Sequence, residues 1–223
     1  MVFPKGLIVS CQAYEGDPLF GAHIMAAMAV AAEEGGAVGI RANSPADIAA
    51  IRAVTKLPIV GLFKLYSPQS EVYITPDKAS ALAIARVGSD VIALDATPRL
   101  RHNDETLAQL IEYIHDELGK LVMADVSCIE DALLAESLGA DVISTTMAGY
   151  TQHGRPKMDG PDLGFLAEVV RRVRGPVVAE GRYHEPHQAA QAMQLGAHAV
   201  IVGSAITRPE DITRRFVNAI DRT

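Results

Sequence analysis

Three ionisable side chains stand where apolar runs end, and their types suit proton transfer. Lys64 closes PIVGLFK, Asp125 closes LVMAD and Glu180 closes VVAE. Positioned amines and carboxylates are the usual groups for moving protons to and from carbon and oxygen. Lys64 is flanked by apolar residues, and desolvation favours the neutral amine that acts as base or nucleophile. With a strand's period of two, Lys64 shares a face with Leu62 and Val60, Asp125 with Met123, and Glu180 with Val178. Gln12, Arg41 and Asp95 end three further apolar runs. The plainer alternatives are a lysine snorkelling outward and carboxylates held as caps or in buried ion pairs.

A second chemistry is written near the end of the chain. VVAEGRYHEPHQAA and VIVGSAITRPEDI each run strand, glycine, polar residue, helix, which presents backbone N–H groups to an anion. Gly181 with Arg182, and Gly203 with Ser204, supply the amides, and Arg208 is a candidate charged clamp. Tight turn geometry alone is the competing explanation. His184 and His187, near Glu180 and Glu185, have a spacing a metal can use, but histidines at a loop and a helix start are more often solvated, so no metal is expected there. Asp104-Glu105 looks like a helix start, and Arg171, Arg172 and Arg174 like a solvated last turn.

The elements that must position these groups alternate along the whole chain. Strands are predicted at Leu7–Gln12, Ala37–Ala42, Pro58–Leu65, Val91–Thr97, Leu121–Ser127, Val142–Ala148, Pro176–Arg182 and Ala199–Ala205. Helices are predicted at His23–Glu34, Pro45–Thr55, Pro76–Val87, Asp104–Leu118, Ile129–Leu138, Asp162–Val173, Glu185–Leu195 and Pro209–Ile220, with Ser44-Pro45, Thr75-Pro76 and Arg208-Pro209 as opening signals. A short extra strand at Val72–Ile74 is expected in the irregular stretch Tyr66–Thr75. Gly88, Gly139 and Gly196 read as left-handed helix ends, each followed by a small residue and a strand. Eight units in 223 residues leave about 28 residues each, so the loops must be short. The expected fold is α/β, one (β/α)8 TIM barrel over residues 1–223. An open doubly wound sheet is disfavoured because CQAYEGDPLFGA after the first strand lacks the dinucleotide glycine pattern. In such a barrel Gln12, Arg41, Lys64, Asp95, Asp125 and Glu180 all fall on the carboxyl rim, where chemistry is done.

Composition narrows the partners. The 223 residues are 49% hydrophobic, 21% charged and 5% aromatic, an ordinary globular balance, and 20 basic against 27 acidic side chains give a net charge of −7. No broad cationic face awaits nucleic acid, so an anionic ligand must be held locally. Cys11 and Cys128 form no CxxC or Cys/His ladder, which excludes a disulfide scaffold and a structural zinc site as far as the sequence pattern reads. No apolar run reaches membrane-spanning length and Met1–Lys5 is no signal peptide core, so a cytoplasmic protein is expected.

With those residues in view, the chain resembles the N-acetylmannosamine-6-phosphate 2-epimerase family of bacterial amino-sugar catabolism. The likeness covers nearly the whole chain and rests on SCQA, GIRAN, VGLFKLYS, ITP, IALDAT, MADVS, STTMAGYT, VVAEGRYH and VIVGSAITRP. It implies interconversion of N-acetylmannosamine 6-phosphate and N-acetylglucosamine 6-phosphate by inversion at C2, without cofactor or metal. It also implies that Lys64 is the base and acid at C2, that Glu180 joins the proton transfers, and that Gln12, Arg41, Asp125 and Arg208 line the substrate site. Members of the family pair as dimers, so a homodimer is the implied assembly.

The residues fit that chemistry. The C2 proton is acidified only when C1 is a carbonyl, so the ring must open and the enolate must be stabilised. Arg41 is expected to polarise the acetamido or C1 oxygen, Lys64 to exchange the C2 proton, Asp125 to orient the lysine, and Glu180 to move a proton at the ring or C5 oxygen. One base serving both faces and two opposed bases both remain open. So do a class I aldolase using Lys64 as a Schiff-base amine, a sugar-phosphate binding barrel without turnover, and a flavin-binding barrel.

Overall fold

Eight parallel strands close into a ring in the computed structural model, which describes residues 3–221. They are β1 (Gly6–Cys11), β2 (Gly39–Asn43), β3 (Ile59–Leu62), β4 (Val91–Asp95), β5 (Leu121–Asp125), β6 (Val142–Ser144), β7 (Val177–Glu180) and β8 (Ala199–Val202). Each pairs with the next in chain order, and β8 returns to β1 through Val9↔Val202. The outer layer is α1 (Ala22–Glu34), α2 (Pro45–Val54), α3 (Lys78–Ala85), α4 (Leu107–Asp116), α5 (Ile129–Ser137), α6 (Leu163–Arg172) and α7 (Pro186–Gln194). The chain ends with a four-residue helix, α8 (Ser204–Thr207), which was not expected, and then α9 (Pro209–Ile220).

Period-two alternation splits the core into two shells. Val60, Leu62, Val91, Ala93, Met123, Val178 and Ile201 meet inside the ring. Ile40, Ile59, Ile92, Leu94, Val122 and Val200 face the helices. Burying such a side chain contributes about 1.5–3 kcal/mol, so register is strongly specified on both faces. The inward parity expected for Leu62, Met123 and Val178 is the one observed.

One outward position has no room at all. A Cβ on Gly61 would collide with Ser89 and come within 3.0 Å of Ile48 Cδ1. The helix layer therefore lies directly on the β3 backbone. Gly88, Gly139 and Gly196 adopt φ of 110°, 97° and 101°, the left-handed turns expected of them.

The differences from expectation lie at element ends. Lys64 and Leu65 leave the barrel: Lys64 makes an antiparallel bridge to Ile74, while Leu65 N–H donates to Tyr73 O and Thr75 N–H to Phe63 O. The strand expected at Val72–Ile74 is this single bridge. Thr75-Pro76 does not open α3, because Asp77 caps it by accepting from Ser80 N–H at 2.7 Å. Thr75, at φ 44°, instead donates its hydroxyl to Ala93 O at 2.6 Å and stitches the end of β3 to β4. The α4 cap is Thr106 rather than Asp104. Strand β6 stops at Ser144, four residues before its predicted end, and becomes the 3₁₀ turn Thr145–Met147.

Candidate active site

A cavity of about 400 Å³ opens at the carboxyl ends of the strands. Of the ten candidate residues, Gln12, Arg41, Lys64, Glu180, Gly181, Arg182, Gly203, Ser204 and Arg208 line it. Asp125, fully buried, lies beneath Arg41. Tyr14, Tyr73 and Thr146 complete much of the wall.

The floor is an arginine held by two acids. Arg41, 1% exposed, donates from Nη2 to Asp125 Oδ2 at 2.6 Å and from Nη1 to Asp125 Oδ1 at 3.2 Å. Nη1 also lies 3.3 Å from Glu180 Oε2. Burial works to lower the Arg41 pKa, but Asp125 and Glu180 raise it overall, so the guanidinium stays charged. Burial pushes both carboxyls above the usual carboxylate range, and each further raises the other or is raised by a neighbouring acid, while Arg41 opposes the rise. The opposition is most direct at Asp125, which takes two bonds from it.

Thr146 ties the two acids together. Its Oγ1 lies 2.9 Å from Asp125 Oδ1, 2.7 Å from Glu180 Oε2 and 2.8 Å from Ser144 Oγ. A hydroxyl has one proton to give, so Thr146 donates to one neighbour and must accept from another that carries a proton. The early end of β6 makes this placement possible: in the 3₁₀ turn, Thr145 bonds the Glu180 backbone on both sides, and Thr146 is carried over the two carboxyls.

Lys64 stands on the opposite wall. In a closed ring of eight, β3 and β7 are four strands apart in either direction, so Lys64 and Glu180 flank the cavity from opposed sides. Two expectations need correction. Lys64 Nζ donates to Tyr14 Oη at 2.7 Å and lies 5.0 Å from the centre of its ring, so its polar partner is a tyrosine and not Asp125. The apolar neighbours in sequence do not enclose the amine either, since Phe63 packs against the outer shell and the Nζ end is open to the cavity.

The remaining candidates gather at the β7–β8 side. Gly181 and Arg182 have successive left-handed backbones, φ 113° and 59°, and line the wall with Gly203 and Ser204. The Arg182 guanidinium is a brace: it donates to Gly160 O and Ala148 O and stacks 4.9 Å over the Tyr150 ring. Arg208 bonds Asp17 Oδ2 at 2.9 Å and lies 5.0 Å over the Tyr14 ring. Gln12 Oε1 and Arg41 Nε are buried beside the cavity without a hydrogen-bond partner. Such an atom costs roughly 1–3 kcal/mol until something bonds it. Among the described residues, His184 and His187 belong to no cluster with metal-holding geometry.

Sequence reasoning missed Thr146, Tyr14 and Tyr73. STTMAGYT offered a clustered hydroxyl signal, but nothing local to it tells which of its hydroxyls meets Asp125 and Glu180.

Comparison with known proteins identifies the family. Residues 25–222 match the family described as "Putative N-acetylmannosamine-6-phosphate epimerase". Relatives named as 2-epimerases of that sugar phosphate include one from Clostridioides difficile, 46% identical over 96% of both chains. Another, from Cutibacterium acnes, is 46% identical over 96% of this chain and 93% of its own. The solved N-acetylmannosamine-6-phosphate 2-epimerase of Clostridium perfringens superposes with a TM-score of 0.95 at 44% identity, covering 98% of this chain and 94% of that one. A thiamine phosphate pyrophosphorylase of Pyrococcus furiosus, with a TM-score of 0.61 at 21% identity, shares the fold alone.

Proposed function

The chain belongs to the N-acetylmannosamine-6-phosphate epimerase family, and on that premise we propose how its residues invert C2 between N-acetylmannosamine 6-phosphate and N-acetylglucosamine 6-phosphate. Lys64, as the free amine, removes the C2 proton from one face of the open-chain sugar. Glu180, as the carboxylic acid, delivers a proton to the other face. In the reverse reaction the Glu180 carboxylate takes the proton and the Lys64 ammonium gives one. The observation that carries this reading is the opposition of Lys64 and Glu180 across one cavity.

The electrostatics support it. Two acids share one arginine, and Glu180 is the more weakly paired, at 3.3 Å against 2.6 Å for Asp125. Burial raises Glu180 first and Asp125 adds to that, which favours its protonated form. Once that proton is delivered, Thr146 is placed to donate to the Glu180 carboxylate at 2.7 Å, which opposes the upward push of burial. Arg41 stands ready to stabilise the negative oxygen that develops at C1. Asp125 holds Arg41 in that position. The unpartnered Gln12 Oε1 accepts a substrate hydroxyl or amide proton. Arg208 and the amides of Gly181, Arg182, Gly203 and Ser204 hold the phosphate, Arg208 exchanging Asp17 for the anion.

The barrel acts as one catalytic unit, in the cytoplasm, where a phosphorylated sugar is retained; among the described residues no helix is long and apolar enough to cross a membrane. Two copies pair through α9, in which no residue is buried while Phe216 and Val217 lie 68% and 47% exposed.

Proton NMR in heavy water tests the chemistry. Two opposed groups predict deuterium at C2 of the product while the substrate recovered early stays protonated. Glu180→Gln then still washes out the C2 proton of the epimer facing Lys64 without epimerising it. A folded Lys64→Ala protein that keeps full C2 exchange overturns the assignment.

A further inference from the structure

Outside the cavity, three side chains of metal-ligating type converge on one point. Cys128 immediately precedes α5, Asp131 lies in its first turn, and His153 comes from the loop after the 3₁₀ turn. His153 Nε2 is 2.9 Å from Asp131 Oδ1 and 3.7 Å from Cys128 Sγ, and the three donor atoms lie within 4.8 Å of one another. One ring nitrogen cannot serve both neighbours. Protonated, it bonds the carboxylate; unprotonated, it accepts from the thiol.

We propose that Cys128, Asp131 and His153 form a three-ligand site for a zinc-like divalent transition metal, with water in the fourth position. Thiolate and imidazole together favour zinc over magnesium or calcium. Metal–ligand bonds of about 2.0–2.3 Å place tetrahedral ligand atoms roughly 3.2–3.6 Å apart, and the observed separations fall on either side of that range. Thiolate and carboxylate match the charge of the cation, and the thiol proton leaves on binding.

The site is built before any ion arrives. Asp131, 2% exposed, uses its other oxygen to accept from Ser127 N–H at 3.1 Å. The backbone of His153 is held separately: Ser127 Oγ donates to His153 O at 2.8 Å, and Arg155 N–H donates to Ser127 O at 3.1 Å. Gly154, at φ 86°, lets the loop lie flat on Ser127, where a Cβ would collide. The Cys128 thiol is not spent as a helix cap, and His153 is 34% exposed, which leaves an approach. Local Cys and His spacing gives no hint of this cluster, because two members sit at the start of α5 and the third in a loop more than twenty residues on. An ion here staples the turn after β5 to the loop carrying Tyr150, part of the cavity wall.

Titration of untagged, chelator-treated protein with cobalt(II) tests the proposal. The expected result is a thiolate-to-cobalt absorption that saturates at one equivalent and is displaced by zinc, together with a zinc-dependent rise in Tm. Cys128→Ser and His153→Ala each lose both signals and keep metal-free C2 exchange; Cys11→Ser keeps all of them. Absence of the absorption in the unmutated chain overturns the site, as does its survival in Cys128→Ser or His153→Ala.

Discussion

Asp95 and Asp125 end neighbouring strands and face each other in register, both fully buried and both bound to an arginine, yet they belong to different kinds of structure. Around Asp95 every bond is closed. Its Oδ1 accepts from Thr97 N–H and Oγ1 at 2.9 and 2.7 Å, its Oδ2 from Arg99 Nη2 at 2.6 Å, and its carbonyl from Arg101. Arg99 Nε adds a bond to Thr97 Oγ1. Around Asp125 the bonds do not close: Arg41 keeps Nε without a partner, and a second acid, Glu180, competes for the same cation. A finished knot holds a loop. An unfinished one, open to a cavity, is fitted for a substrate that completes it.

Neutralising each aspartate in turn separates the two roles. Asp125→Asn leaves Arg41 without its main counter-charge, and breaking a buried pair costs about 3–5 kcal/mol of stability by urea unfolding. C2 exchange is expected to fall by at least about 10²-fold. Asp95→Asn loses about 1–3 kcal/mol and keeps C2 exchange. A folded Asp95→Asn protein without exchange erases the distinction.

Thr146 sharpens the same contrast on the catalytic side. Thr146→Val is expected to lower kcat about tenfold, within the range of a misplaced proton donor, and Thr146→Ser to restore it. The pH profile gives the sign. Protonated Glu180 is the active donor, so the rate falls as pH rises through its folded pKa. The Thr146 bond holds that pKa down. Its removal moves the falling limb to higher pH, and a limb that stays in place removes Thr146 from the relay.

A buried carboxylate outside both networks gives the smallest effect. Burial alone pushes Asp47 up to about 6. Because that is above its unfolded value, its contribution is most favourable below about pH 4 and is lost as pH rises through about 6. Asp47→Asn should therefore add about 1 kcal/mol at pH 8, after discounting for its partial solvation, and nothing at pH 4. Equal gains at both pH values contradict the titration.

Much of this was legible in the residues. Alternating apolar runs and Gly88, Gly139 and Gly196 marked the units, strand parity aimed Glu180 and Asp125 inward, and the strand-end position put Arg41 on the same rim. What parity does not carry is pairing between distant strands. Asp95 and Asp125 read alike because each ends an apolar run; only the loop after β4 decides that one is tied off. Thr146 was hidden by a strand that turns into a 3₁₀ coil three residues after it begins, once Thr145 bonds the β7 backbone. Tyr14 reaches Lys64 across 50 positions, beyond any local pattern.

Gly61 lies on the far side of the wall from all of this chemistry. A lone hydrogen there lets Ser89 and Ile48 press against the backbone three positions upstream of Lys64. Any methyl group would have to wedge α2 and the segment before β4 outward or push β3 inward, and either movement would be passed along a stiff peptide to the amine. The reach of the base is thus fixed from behind, by a gap that must stay unfilled, and a substitution invisible to the substrate would still be felt by it.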